Sequence, residues 1–514
     1  MKYWIMWFLV SILVSSNSNA VCTESGRPAC IVVHDTNNVE ILVSNFGSFG
    51  RAANGGPGCF WPKGSGHSYI FGAGIWFGTI DFLTGDTLVT IGYGPHGGET
   101  EFVPGLENLP PTHPDAIIYV YPDNWPAPIT SFPMAPTLNV SHQDSWCAFN
   151  DCDSTVHMPG DGRPIGIEVY QTVYVWDLPN LEDIVFFDYE IKNVTEHKIN
   201  SCYIGTYLDR GISFDYSKVI LNDWYVINSE SIHVDNFVYQ YHDIYTSWDS
   251  CVVGFDLLQT DFDLSPGMDK DNDGIPDQYE RDSSYYVNNL SQSMWDVDRD
   301  HVPDWRDASE NPQIGLTAMK LFTLNLDPNK DNERYMTLAG YNFKTGEYCP
   351  FDTMPPEPDD MRCLLASGPF SIKPDSSIML VFAIMFANWR GIYQKPDTAI
   401  VLVDKWAQLY YDMNYYRYTS VGEGRSEERT ENNFMVLPNP VTTQGHIIFS
   451  VPTSEHIKIK LYNVLGQAVK MVAHGYFAAG KHDVAFSVDY LSSGTYFIML
   501  ETGNNRRCQS VIIK

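Results

Sequence analysis

Acidic side chains are crowded into one twelve-residue stretch, DKDNDGIPDQYE, at residues 269–280. Carboxylates this close together repel one another unless a cation neutralises them. Calcium takes six to eight oxygen ligands, and in a twelve-residue loop these come from positions 1, 3, 5, 7, 9 and 12. Gly274 stands at position 6, where the loop must turn sharply. The stretch therefore predicts a calcium site formed by Asp269, Asp271, Asp273, the carbonyl of Ile275, Asp277 and Glu280.

A second acidic stretch, DVDRDHVPDWRD at 296–307, begins 27 residues after the first. His301 replaces the glycine, and Arg299 and Arg306 reduce the negative charge, so we expect weaker or shared binding there. The pair resembles thrombospondin type-3 calcium repeats. We expect structural calcium, because the loop takes up every strong ligand and no open catalytic position is implied. A solvated acidic loop is the alternative interpretation. The expected ligands of the second copy are Asp296, Asp298, Asp300, the carbonyl of Val302, Asp304 and Asp307.

None of the other polar stretches has the pattern of a known catalytic motif. Residues 150–162 gather several groups that could form a metal or acid–base cluster, or a polar loop held by a disulfide: Asp151, Asp153, His157 and Asp161. Asp209 and Asp215 follow a predicted strand and are expected in solvent. The glycines of 64–78 do not fit a dinucleotide fingerprint and are expected to pack beside aromatic residues. The sequence does not predict a catalytic site.

Composition places limits on the partners of the chain. The formal net charge of −31 disfavours nucleic acid, because a polyanion would be repelled at long range. Apolar residues make up 44% and aromatic residues 14% of the chain, which favours strands over helices and allows a sizeable core. At 514 residues we expect two to four domains.

The N-terminus has the pattern of an export signal. Lys2 precedes an apolar run at 3–14, and Ser18-Asn19-Ala20 provides small residues for cleavage after residue 20. Cys22 raises a lipoprotein alternative, although the residues before it match poorly. No later stretch is apolar enough to predict a transmembrane helix. Export makes disulfides reasonable, and the spacing of the ten cysteines suggests the pairs Cys22/Cys30, Cys147/Cys152 and Cys349/Cys363.

Most of the remaining chain has the alternation typical of strands. Four segments alternate β-branched or aromatic residues with polar ones: 39–47, 165–176, 183–194 and 202–209. Residues 369–386 predict two strands around a Pro-Asp-Ser turn. Residues 397–413 instead have helical spacing, with Asp397 as the expected N-cap. The predicted fold class is therefore mainly β, with a large antiparallel β-sandwich region at 21–415 that carries a calcium-loop insert at 262–310.

Residues 416–433 lose nearly all apolar content and predict a linker, and a strand-rich unit follows at 434–514. This unit resembles the type A C-terminal sorting domain of the type IX secretion system. The resemblance implies a small immunoglobulin-like β-sandwich of seven strands that the outer-membrane translocon recognises. The matching residues include Pro438, Asn439, Pro440, Tyr462, Gly466, Leu491, Gly494, Tyr496 and Lys514.

These expectations lead to two hypotheses for function. The first is a secreted or cell-surface protein of a Gram-negative bacterium, stabilised by calcium and with a structural or adhesive role. The alternative is a polysaccharide-binding protein or a glycoside hydrolase with the same export signals. An aromatic row on a sheet face would favour sugar binding, and two carboxylates facing each other across a cleft would favour hydrolysis.

Overall fold

The structure of the chain is a computed structural model. It describes residues 30–94, 100–158, 161–210, 214, 216–241, 251–270, 274–295, 303–306, 312–323, 326–353, 361–390, 395–411, 435–437, 441–451, 454–463, 468–478, 480–501 and 506–513. The predicted signal peptide and linker lie outside these residues. No helix among them is long and apolar enough to cross a membrane.

The part of the chain before residue 412 consists mainly of strands. In chain order they are β1 (Ile31–His34), β2 (Glu40–Ser44), β3 (Ser48–Phe49), β4 (Cys59–Phe60), β5 (Ser68–Ile80), β6 (Thr87–Ile91), β7 (Val103–Pro104), β8 (Tyr119–Val120), β9 (Gln143–Asn150), β10 (Ile167–Val175), β11 (Ile184–Asn193), β12 (Ile199–Arg210), β13 (Tyr216–Ile227), β14 (Glu230–Tyr241), β15 (Cys251–Gln259), β16 (Ala318–Thr323), β17 (Met361–Ile372) and β18 (Ser377–Asn388). The α-helices are α1 (Ser283–Asn289), α2 (Asp331–Leu338) and α3 (Pro396–Tyr410), and short 3-10 turns lie at Asp277–Tyr279, Gln292–Met294 and Asp304–Arg306.

These strands form two nine-stranded sheets whose named neighbours pair antiparallel. The first runs in the order β1-β2-β3-β5-β12-β17-β16, with β4 and β6 beside β5. The second runs β13-β14-β15-β18-β11-β10-β9-β7, with β8 beside β9. The sheets face each other across one apolar core, in which the ring of Phe49 from the first sheet lies 4.6 Å from that of Phe187 in the second. The prediction of a mainly β protein with large antiparallel sheets is confirmed.

The predicted strands correspond to β2, β10, β11 and β12, and the turn after Ile372 separates β17 from β18. That turn carries the chain from one sheet to the other, because β17 pairs with β12 and β18 pairs with β11. Helix α3 lies in the predicted helical segment and packs on β14, β15 and β18. Its N-cap is Lys395 rather than Asp397, since Pro396 occupies the first helical position and moves Asp397 into the first turn.

The two predicted disulfides that lie within the described residues, Cys147/Cys152 and Cys349/Cys363, are not formed there. Cys363 points into the core between the sheets, whereas Cys349 contacts Lys320 Nζ at 3.3 Å on the opposite face of the first sheet. Cys147 also faces the core between the sheets, while Cys152 follows β9 with its Sγ directed to Asp151. Sequence proximity therefore does not bring these thiols together. The predicted partner Cys22 lies outside the described residues.

The C-terminal unit contributes β19 (Met435–Leu437), β20 (Gln444–Val451), β21 (Glu455–Asn463), β22 (Ala468–Phe477), β23 (Gly480–Ser487), β24 (Gly494–Glu501) and β25 (Arg506–Ile513). A three-stranded sheet, β19-β20-β23, faces a four-stranded sheet, β22-β21-β24-β25. Both sheets contribute to one apolar core, for example Phe449 from the first and Ile498 from the second. The core forms because Ile457, Ile459 and Leu461 alternate along β21 and are fully buried.

Candidate functional site

Part of the first acidic loop lies within the described residues, and there the expected ligands differ sharply in burial. Asp269 is exposed, whereas the side chains of Asp277 and Glu280 are buried. Gly274 adopts a φ of +95°, a conformation that favours glycine. Ile275 is also buried and anchors the loop to the protein. Asp271 and Asp273 lie outside the described residues.

The two oxygens of the Asp277 carboxylate differ in their contacts with the described residues. Its Oδ1 accepts a hydrogen bond from the backbone N–H of Lys270 (2.8 Å), while Oδ2 is buried and has no hydrogen-bond partner among the described residues. Glu280 Oε2 accepts a hydrogen bond from the Tyr286 hydroxyl (3.0 Å). A buried carboxylate oxygen normally has a hydrogen-bond partner or contacts a cation, so the position of Asp277 Oδ2 is consistent with a cation site.

The two acidic loops share a backbone pattern with the 27-residue spacing seen in the sequence. The N–H of Asp277 donates to the carbonyl of Met268, and the N–H of Asp304 donates to the carbonyl of Trp295, both at 2.9 Å. A 3-10 turn begins at each aspartate. Asp304 is buried like its counterpart. The other ligands expected in the second loop lie outside the described residues: Asp296, Asp298, Asp300, Val302 and Asp307.

Aromatic residues connect the two loops. The ring of Tyr286 in α1 lies 5.0 Å from that of Trp305, and Trp295 Nε1 donates to the Tyr286 carbonyl (3.2 Å). Because the Tyr286 hydroxyl also donates a hydrogen bond to Glu280, Tyr286 contacts residues of both loops. Within the described residues, which omit much of both loops, no group of three His, Cys, Asp or Glu side chains is arranged to hold a metal.

A buried polar network lies on the face of the first sheet that points away from the second sheet. Arg362 on β17 pairs with Asp209 (3.5 Å) and Asp327 (3.8 Å), and the Tyr207 hydroxyl donates to Asp327 (2.9 Å). Tyr93 donates to Asp209 (3.1 Å). The expectation that Asp209 is solvated is wrong, because it belongs to β12 and directly opposes Arg362. Asp215 lies outside the described residues.

The glycines of β5 pack beside aromatic residues, as expected, whereas Gly64 and Gly66 before it border open space. A Cβ on Gly72 would lie 2.4 Å from Tyr93 Cε2, and one on Gly74 would lie 2.7 Å from the backbone of Gly92. The Tyr93 ring therefore crosses β5 and its hydroxyl reaches β12. Next to it, Trp76 stacks on Tyr207 with ring centroids 4.6 Å apart.

A second polar cluster surrounds Arg334 of α2, which is fully buried. Its Nη1 lies 3.4 Å from Asp331 and 3.7 Å from Asp161, and Glu101 is buried nearby. Burial raises the pKa of Asp331 to about 7, and the charges of Asp161 and Glu101 raise it while that of Arg334 lowers it. Sequence reasoning missed Glu101, Asp331 and Arg334, because they come from distant segments that no local pattern connects.

The polar residues of 150–162 do not form one site. Asp151 accepts hydrogen bonds from Thr90 Oγ1 and from three backbone N–H groups at 165–167, so it stabilises the turn between β9 and β10. His157 hydrogen-bonds to the carbonyl of Asp151, and Asp153 binds Thr155. Asp161 belongs to the Arg334 cluster, and the charge of His157 lowers the pKa of Glu101 in that cluster. The local segment therefore has mainly structural contacts.

An exposed tryptophan lies on the β13–β14 hairpin. Trp224 is 63% exposed, and its ring lies 4.9 Å from that of His233 on the paired strand. His233 Nε2 hydrogen-bonds to Asn222 Oδ1 (3.1 Å), and Val226 on the same strand is 77% exposed. The arrangement presents an aromatic ring beside polar groups on an open strand.

In the C-terminal unit, Tyr496 is buried and its hydroxyl donates to the carbonyl of Ser492 (2.9 Å), which closes the turn before β24. Gly494, the first residue of β24, has a φ of +156°, Leu491 packs on the core, and Tyr462 lies near the end of β21. Pro438, Asn439, Pro440, Gly466 and Lys514 lie outside the described residues.

Comparisons with known proteins identify the C-terminal unit. Residues 435–514 match the family described as a secretion system C-terminal sorting domain. The sorting domain indicates export by type IX secretion, interaction with the secretion machinery, and a secreted or cell-surface location. No curated protein matches the chain.

Among solved structures, the chain is similar to the polysaccharide lyase BACCELL_00875. The identity is 8%, the TM-score is 0.21, and the match covers 88% of this chain and 40% of that one. The chain thus spans less than half the length of that protein. A similarity this low supports no statement about fold or activity.

Proposed function

We propose that this protein is a calcium-stabilised structural or adhesive protein of the cell surface, exported through type IX secretion. The sorting domain supports the export, and the acidic loops support the calcium. The observation that carries the calcium part is the buried Oδ2 of Asp277, which has no hydrogen-bond partner among the described residues.

The residues that would hold calcium in the first loop are Asp269, Asp271, Asp273, the Ile275 carbonyl, Asp277 and Glu280. In the second loop Asp304 is the described candidate. The ion would supply positive charge that offsets the repulsion among carboxylates and would link Glu280, through Tyr286, to Trp305 in the second loop. The role is structural, because the described contacts of these residues stay within the insert and its junction with the sheets.

The test compares the thermal melting of the purified protein with calcium and with a chelator. A ligand at about a thousand times its Kd stabilises the folded state by about 4 kcal/mol, so we expect a clear rise in Tm with calcium. Asp277→Asn should reduce that rise. Asp375→Asn is the matched control, because Asp375 is an exposed carboxylate on a distant turn. Equal calcium responses of the wild type and Asp277→Asn would contradict the proposed site.

The adhesive role is tested in cells. A strain without the chain should attach to a surface less than the wild type, and complementation with the full chain should restore attachment. Complementation with Asp277→Asn should restore it less well when the variant reaches the cell surface in equal amount. Unchanged attachment of the strain without the chain would contradict an adhesive role.

A second candidate function, binding of a neutral polysaccharide, is favoured by Trp224. Exposed aromatic rings stack on the apolar faces of sugars, and the neighbouring Asn222 and His233 offer hydrogen-bonding groups. Retention of the full chain on a neutral polymer, lost in Trp224→Ala and kept in Tyr490→Ala, would support it. Tyr490 is the control because it is fully exposed in the C-terminal unit. Release of reducing ends would instead indicate a hydrolase.

A further inference from the structure

The outer face of the four-stranded sheet in the C-terminal unit carries a mixture of basic and apolar side chains. Ile457, Ile459 and Leu461 point into the core, so the alternating residues of β21 point outward. Among these, Lys460 lies between Met471 on β22 and Met499 on β24 in the pairing of the strands. The other outward residues of β21 are His456, Lys458 and Tyr462.

Several apolar side chains on this sheet are exposed. Tyr476 is 73% exposed and Met471 51%, while Phe497, which pairs with Tyr462, is exposed as well. The described outward positions of the three-stranded sheet are instead mostly polar, with Gln444 and His446 on β20 and Asp483 and Ser487 on β23. Exposed apolar side chains concentrated on one face of a small domain indicate an interaction surface.

The charge of the C-terminal unit is opposite to that of the rest of the chain. Residues 435–514 contain 7 Lys and Arg and 4 Asp and Glu. The whole chain contains 32 and 63, so the other 25 and 59 belong to residues 1–434. An acidic partner would therefore attract the C-terminal unit and repel the remainder, which orients the chain on approach.

We propose that this outer face docks on an acidic and partly apolar protein surface of the secretion machinery. The inference rests on the proposed export through type IX secretion and adds the surface of the C-terminal unit that the secretion machinery would recognise. Methionine and aromatic side chains around two lysines fit a protein interface, where such residues are enriched. A polyanionic glycan would call for a longer row of basic side chains. The docking face consists of His456, Lys458, Lys460, Tyr462, Met471 and Phe497.

The test measures export of the full-length chain from cells with an active type IX system. Lys458→Glu/Lys460→Glu and Met471→Ser/Phe497→Ser should each lower the exported fraction at least about tenfold, with retention in the periplasm. Lys458→Arg/Lys460→Arg keeps the charge, and Gln444→Glu/Ser487→Glu adds the same two acidic groups to the other sheet. Both controls should be exported like the wild type. Protease resistance of the retained protein, equal to that of the wild type, shows that the variants fold.

Deletion of residues 435–514 separates this inference from the proposed export. If the deletion leaves export unchanged, type IX export itself is wrong. If the deletion blocks export but both docking-face variants are exported normally, the docking face is wrong while the export proposal stands. If the Gln444→Glu/Ser487→Glu control is retained as strongly as the docking-face variants, the total charge of the unit matters instead of this face, and the inference is overturned.

Discussion

Replacing Asp404 by asparagine should make the protein less sensitive to alkaline pH. The Asp404 side chain of α3 is 2% exposed and is hydrogen-bonded to the carboxyl of Asp256 on β15, which is buried equally deeply. A hydrogen bond between two carboxyl groups needs one proton, so one of the pair must be protonated. Burial raises the pKa of Asp404 to about 7, the hydrogen bond to Asp256 lowers it, and the charge of Asp235 on β14 raises it.

The direction of the effect follows from this raised pKa. The unfolded chain loses the proton near pH 3.8, whereas the folded protein keeps it until about pH 7. The contribution of Asp404 to stability is therefore complete at low pH and is lost as the pH rises through this interval. Each pKa unit corresponds to about 1.4 kcal/mol, so the loss between about pH 5 and pH 8 is about 2.5 kcal/mol.

The assay is denaturant unfolding of the wild type and Asp404→Asn at about pH 5 and pH 8. The difference in unfolding free energy between the two proteins should shift by about 2.5 kcal/mol in favour of the variant at the higher pH. Asp397→Asn removes a carboxylate from the first turn of the same helix and is the control. The reasoning would be refuted if the stability of Asp404→Asn changed with pH as much as that of the wild type.

Two further predictions concern the outer face of the first sheet. Gly72→Ala should lower the unfolding free energy by about 1–3 kcal/mol, because the new Cβ would lie 2.4 Å from the Tyr93 ring. Thermal melting checks this. The control is Gly475→Ala, since Gly475 is also a strand glycine without a positive φ but has open space where the Cβ would lie. Arg362→Met should lower the unfolding free energy by about 3–5 kcal/mol, because Asp209 and Asp327 would stay buried without their cation. Denaturant unfolding checks this. The double variant Arg362→Met/Asp209→Asn should recover part of the loss, whereas no recovery would show that lost packing alone is responsible.

Much of the local structure could be predicted because its signals are contiguous. The alternation of residues 183–194 corresponds to β11, in which Phe187 and Tyr189 face the core between the sheets, and the helical spacing of 397–413 corresponds to α3. The repeated acidic stretches also have a counterpart in the matching turns at Asp277 and Asp304. In each case the physical cause lies within a few residues of its effect.

The buried polar groups could not be predicted, since their partners lie far apart in the chain. Asp209 and Arg362 are 153 residues apart and meet only because β12 and β17 pair in the first sheet. The cysteines show the converse: Cys349 and Cys363 are close in sequence, yet the sheet separates them. Alternation within one strand shows that successive side chains point to opposite faces. It does not show which distant strand pairs with it or in which register, so it does not identify the partner of a buried polar residue.

The protein neutralises its buried carboxylates in several different ways. Asp151 is held by three backbone N–H groups and a hydroxyl, Asp209 by Arg362 and Tyr93, and Asp404 by a shared proton. Asp277 is as deeply buried as these, and its Oδ2, like Oδ1 of Asp404, has no hydrogen-bond partner among the described residues. A buried carboxylate needs a donor, a positive charge or a proton. Unlike Asp404, Asp277 follows a run of acidic residues that would act together on one ion, so the proposed calcium ion would account for both its burial and its sequence.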